Sequence, residues 1–341
     1  MKSLLRRWFS SDNSPTEARD AYVPAPVAEF DGKTFDIAAT AHWYETLPHP
    51  DWPEVYAWVN GFEEDRRDTA FLACERAWLG MLAQALGPEY RVFESDHALV
   101  LSDRPANEAK AALEFVDGTR RRVRRMLEEL AGDDTGKEVL LSFADADTYS
   151  RYARYYCPDL DETMVSAGMF LRAGSEHFIV HGEELWRIEP TIVHELTHAQ
   201  LTHLALPLWV NEGMAVNTEQ RLTQRGANAY DVKALEKKHA AFWTPESIQQ
   251  FWNGTAFKRD DDGSELAYDL GRLLVNGMCS DWSAFKRFAA AARAEDAGAQ
   301  AAAECLDVDL GEAVRHFLEA EDGEWGPRPE AWSRAVDVET A

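Results

Sequence analysis

The spacing of apolar residues changes near residue 207, and that change limits the architecture more than any other feature of the chain. Beyond it nearly every stretch repeats apolar residues at helical spacing: 208–224, 228–243, 245–253, 264–279, 281–294 and 309–320. From about residue 90 to that point, strand and helix patterns alternate. "YRVFESDHALVLS" reads as a strand pair or one long bent strand, "ANEAKAALEFVDGTRRRVRRMLEELAG" as a long helix and "KEVLLSFA" as a strand. "DADTYSRYARYY" reads as a helix with Asp145 or Asp147 as its N-cap. "GMFLRAGSEHFIVHG" reads as two short strands around Ala173-Gly174-Ser175. A β-α-β-α-β order followed by helices predicts an α+β fold, with a small mixed β-sheet subdomain and then a mainly helical lobe.

The flanks read differently. Residues 1–29 include "SSDNSPTEARD" and "VPAPVAE" and are expected to be a flexible leader. Residues 30–89 are Trp-rich with helical spacing, clearest in "RRDTAFLACERAWLGMLAQALG", which stops at Gly87-Pro88. They are expected to form an N-terminal helical cap. The main domain is expected over 90–325, with a flexible tail at 326–341.

Apolar residues at 45% and aromatics at 11% supply a packed core and exclude a disordered chain. Lys and Arg number 35 against 60 Asp and Glu, a net charge of −25 that argues against nucleic acid as a partner. The one dense basic run, "RRRVRR" at 120–125, reads as a solvated helix face. Four cysteines, Cys74, Cys157, Cys279 and Cys305, form no CxxC pair, which fits reduced thiols in a cytoplasm. No run of about 18 apolar residues occurs, so no membrane span is expected. "MKSLLRRWFS" lacks the apolar run of a secretion signal.

The chemistry is concentrated in "TIVHELTHAQ" at 191–200. Pro190 suits the first turn of a helix, where its missing N–H costs nothing. Four residues apart on that helix, His194 and His198 share a face and can point two imidazoles at one zinc ion. Glu195 is rotated about 100° from His194, so it flanks the ion and can accept a proton from a water there. A catalytic zinc usually takes three protein ligands. Glu212 in "LPLWVNEGMAV" is the candidate third, on a helix entered after a turn at Pro207. Gly213 would let backbone pass close to the site.

"HELTH" followed by "LPLWVNEGMA" resembles the gluzincin metallopeptidases, especially the peptidase-MA-like group. The resemblance spans roughly 90–320. It implies that His194, His198 and Glu212 bind one zinc and that Glu195 is the general base. It further implies that Glu219, seven residues after Glu212, holds a ligand histidine. Amide hydrolysis makes an oxyanion that needs a donor. Tyr268 in "ELAYDLGRLL" is placed like the active-site tyrosine of the family, with Tyr230 as the next choice. The chain departs from the aminopeptidases of that family. "AGMFLR" at 167–172 lacks the glutamate by which they hold a free amino terminus.

Other polar residues have plainer readings. His203 is off the ligand face. His177 and His181 share a strand face and either line a cleft or belong to the packing. Trp209 is expected to pack the turn that delivers Glu212. "KRDDDGSE" at 258–265 lacks the ligand spacing of a calcium loop and reads as solvated. The expectation is a zinc-dependent metallopeptidase acting on a peptide or protein. The rival is a zinc-containing protein that binds peptides or regulates without cutting.

Overall fold

The computed structural model describes residues 21–132, 136–158, 168–181, 185–223, 232–320 and 323–332. The fold is α+β, and the chain divides into two units. The first comprises 1–120 and 134–192, the second 121–133 and 193–341.

The first unit opens with two hairpins. Strands β1 (Val27–Phe30) and β2 (Lys33–Asp36) pair antiparallel across Asp31-Gly32, whose φ angles are 53° and 72°. An Asp-Gly pair at positive φ is what a two-residue hairpin turn requires. After a short helix α1 (Ile37–Thr40), β3 (His42–Tyr44) pairs with β4 (Leu47–His49). Helices α2 (Trp52–Val59) and α3 (Arg67–Leu86) follow. Two of the expectations for this region therefore need correcting. Residues 30–89 are not wholly helical, and they are no separate cap. Ile37, Leu47, Val55, Trp78 and Leu82 share one buried cluster with the sheet residues Val92, Leu99, Leu141 and Ile179. Nor are residues 21–29 a free leader. Tyr22 exchanges backbone hydrogen bonds with Val92 at 3.1 and 2.8 Å, and Ala28 is buried.

The sheet contains β5 (Arg91–Glu94), β6 (Ala98–Ser102), β7 (Glu138–Phe143), β8 (Gly168–Ala173) and β9 (Ser175–His181). Its order is β5-β6-β7-β9-β8. The β5–β6 and β8–β9 pairs are antiparallel, while β7 is parallel to both neighbours. Crossover helices α4 (Ala106–Leu127) and α5 (Ala146–Tyr156) make those parallel pairs possible. All of β6 is buried, as a central strand covered on both faces should be. Asp145 caps α5, accepting from Thr148 N at 2.8 Å. The basic run is only partly a solvated face. Arg120 is 2% exposed and donates to the carbonyls of His97 and Gly136, both at 3.3 Å. Its stem lies in the packing while its planar head satisfies loop carbonyls.

The second unit is helical among its described residues. The motif helix α6 spans Leu185–Leu201, so Pro190 is interior to it rather than in its first turn, and the helix belongs to the second unit from Val193 onward. Then come α7 (Leu208–Thr223), α8 (Val232–Phe242), α9 (Ile248–Trp252), α10 (Asp262–Met278), α11 (Trp282–Ala291), α12 (Ala299–Leu306) and α13 (Leu310–Phe317). Asp261, Asp281 and Asp309 cap α10, α11 and α13 with side-chain oxygens 2.9–3.0 Å from backbone N–H groups. The acidic run at 258–265 is therefore a helix start. Helix α12 escaped the sequence pattern because "AQAAAECL" carries almost no apolar stripe beyond alanine. Residues 326–332 are no loose tail. Gln249 bonds Gly326 O at 2.8 Å and accepts from Trp332 Nε1 at 3.0 Å. No described helix is long and apolar enough to cross a membrane.

Candidate metal centre

His194 and His198 stand one turn apart on α6, their ring centroids 4.7 Å from each other. The chain then turns, and Val210 N and Asn211 N bond back to Pro207 O at 3.0 and 3.1 Å to start α7. Trp209 anchors this start, as its position suggested. It is fully buried and donates from Nε1 to Ala297 O at 2.9 Å. Glu212 is thereby delivered to the histidines. Its Oε2 lies 3.3 Å from Nε2 of His194 and 3.3 Å from Nε2 of His198.

Each imidazole is also held from behind. Glu219 Oε2 lies 3.3 Å from His194 Nδ1, two turns along α7 from Glu212. Asn211 Oδ1 lies 3.0 Å from His198 Nδ1. With the Nδ1 atoms occupied, both Nε2 atoms converge on one carboxylate oxygen. Sequence reasoning missed Asn211. Its only signal was a single amide in the apolar turn before Glu212.

This donor set suits a metal ion. Among the described residues, one group of His, Cys, Asp and Glu side chains brings three ligand atoms within 4.8 Å of one another: His194, His198 and Glu212. Tetrahedral coordination by nitrogen and oxygen at about 2.1 Å places ligand atoms about 3.4 Å apart. The two 3.3 Å separations match that span. Nδ1 acceptors that fix tautomer and ring orientation are the usual surroundings of metal-binding histidines.

The electrostatics agree. Burial opposes a charged His194, but the hydrogen bonds it donates to Glu212 and Glu219, with the Glu195 charge nearby, raise its pKa to about 9. Burial also opposes a charged Glu212, yet the two histidines bring its pKa down to about 2. The site thus holds positive charge in the form of a proton. A metal must displace that proton, because only the neutral Nε2 has a lone pair to give. At pH 7, below the His194 pKa, zinc binding should release about one proton per chain. Affinity should fall about tenfold per unit as pH drops further below that pKa. Calorimetry in two buffers of different ionisation enthalpy measures the released proton.

Glu195 is half-buried, and its charge acts on both His194 and Tyr268. Tyr268, on α10, has its ring centroid 6.4 Å from that of His194 and 5.1 Å, edge to face, from that of Phe257. Burial first, then the charges of Glu212 and Glu195, push its phenol well above the ordinary range. It therefore stays a neutral O–H donor. Gly213 makes a close backbone approach, and its partner is helix α10: a Cβ there would lie 2.4 Å from Gly271 O.

The remaining candidates lie elsewhere. His177 does not line an open cleft. It is fully buried in the first unit, within hydrogen-bond distance of Tyr152 Oη at 3.0 Å and Ser175 O at 2.7 Å. Burial brings its pKa down to about 4. His181 is half-buried against the Tyr149 ring, 4.7 Å away. His203 is exposed. Tyr230 lies outside the described residues. Comparison with known protein families, with curated proteins and with solved structures gave no match to this chain.

Proposed function

We propose that this chain is a zinc-dependent metallopeptidase of the gluzincin type, hydrolysing peptide bonds with Glu195 as general base. The supporting observation is the convergence of two Nε2 atoms and one carboxylate oxygen, each imidazole held by a second acceptor, with a further glutamate alongside. A metal-stabilised binding module accounts for the three ligands but gives no work to Glu195 or to a neutral tyrosine beside them. Zinc, when bound, supplies Lewis acidity to the substrate carbonyl and acidifies water at the site.

The protein side of the reaction follows from the residues. Glu195 removes a proton from the attacking water and returns it to the leaving amine. The Tyr268 hydroxyl donates to the developing oxyanion, and its raised pKa keeps the proton in place. Glu219 and Asn211 keep His194 and His198 oriented. Peptide or protein substrates and a cytoplasmic location belong to the same proposal. Free thiols at all four cysteines suit a reducing compartment.

Metal analysis of purified protein together with a broad peptide-library digest tests this reading. About one zinc per chain and cleaved peptides are expected. Zinc without any cleavage would favour the binding module, and no zinc after zinc is offered would end both. Tyr268→Phe should retain zinc and lower kcat about 100-fold, with little change in KM, because the bond strengthens only as charge develops. Steady-state kinetics with activity kept within a few-fold would reduce Tyr268 to a packing residue.

A further inference from the structure

The seam between α7 and α10 sits beside the candidate site, and at its narrowest point two glycines face each other with the Val275 side chain beside them. A Cβ on Gly213 would lie 2.4 Å from Gly271 O, and one on Gly271 would lie 2.9 Å from Trp209 O. The two backbones therefore touch at this point. Packed helices normally keep their axes 8–10 Å apart, with interlocking side chains that set both distance and register. Glycine against glycine allows a closer approach and leaves a small apolar stop, Val275, whose Cγ2 would lie 2.8 Å from a Cβ on Gly213.

Asn217 adds a directional, polar tie across the same seam. Its Nδ2 donates to Gly213 O at 2.7 Å, on its own helix, and to Arg272 O at 2.9 Å, on the other. Both partners can only accept, so the NH2 group must face them. The two anchored carbonyls are placed significantly. Gly213 directly follows Glu212, and Arg272 lies one helical turn after Tyr268. The amide thus ties a point next to a proposed metal-binding carboxylate to a point one turn from the proposed oxyanion donor.

We infer that Asn217 is a positioning residue: it fixes the register of α10 on α7 and thereby sets where the Tyr268 hydroxyl stands relative to His194, His198 and Glu212. The inference rests on the hydrolytic function proposed above. Displacing a catalytic group by about 1 Å can cost 100-fold in rate, so a lock of this kind has consequences out of proportion to two hydrogen bonds. Its removal should act on Tyr268 and leave the three metal-binding side chains, all on α6 and α7, in place.

The experiment is a double-mutant cycle between Asn217→Ala and Tyr268→Phe on metal-loaded full-length protein. Asn217→Ala alone should keep about one zinc per chain and the visible absorption spectrum of the cobalt-substituted protein. It should lower kcat about tenfold with KM within twofold. In the Tyr268→Phe background the same substitution should cost less than twofold, since the group it positions is already gone. An equal loss in both backgrounds overturns the inference, as does an unchanged kcat. Lost zinc or an altered cobalt spectrum also overturns it, because Asn217 would then act through Glu212. Asn217→Asp keeps the shape but cannot donate, and it serves in the cycle if Asn217→Ala does not fold. A parent protein that binds no zinc or cuts no peptide refutes the proposed function before any variant is made, and this inference falls with it.

Discussion

The zinc site proposed here predicts that the parent purifies with about one zinc per chain and that His194→Ala, His198→Ala and Glu212→Ala each purify without it. Three protein ligands are the usual minimum for a catalytic zinc, and two in this geometry leave affinity too low to survive purification. Hydrolysis should vanish with the metal. Metal analysis after gel filtration reads the result directly. The three variants should also differ from one another in stability. His194→Ala removes the imidazole that Glu212 and Glu219 share and leaves Glu212 with His198. Glu212→Ala removes the charge that helps raise the His194 pKa to about 9. A Glu212→Ala protein that still holds one tightly bound zinc would remove Glu212 from the ligand set and leave two histidines in search of a third.

Glu195→Gln should give the opposite pattern: zinc retained, hydrolysis lost by about 1,000-fold. The amide has the shape of the carboxylate but cannot take a proton from water. Glu195 is not among the three side chains whose ligand atoms lie within 4.8 Å of one another, so the metal has no reason to leave. Peptide cleavage by the zinc-loaded variant, measured against the parent at equal metal content, decides the matter. Cleavage at the parent rate would mean that another group activates the water.

The sequence by itself determined the parts of this protein that rest on local spacing. A period of 3.6 placed His194 and His198 on one face, whatever the helix packs against. Alternation and turn residues marked β7, the β8–β9 hairpin at Gly174 and an extended stretch that the structure resolves into the pair β5 and β6, while of the two N-cap candidates Asp145 and Asp147 the structure uses Asp145. Gly213 was legible as a close approach because no other residue allows one. The hairpin at Asp31-Gly32 was also written locally, but the Trp-rich helical pattern around it obscured the signal.

Tertiary structure decided what local spacing cannot express. It placed Asn211 behind His198, in a contact between neighbouring helices that leaves no periodic trace. It buried Arg120, whose charge reads as a surface feature until loop carbonyls are brought to it. It put His177 in the core with two partners, where alternation only assigned it a strand face. It joined residues 21–89 to the sheet in one hydrophobic cluster, because apolar area is buried wherever the chain can bring it together, without regard to sequence distance. It also set Tyr268 beside His194, through a glycine seam and one asparagine amide that acquire meaning only when two helices meet.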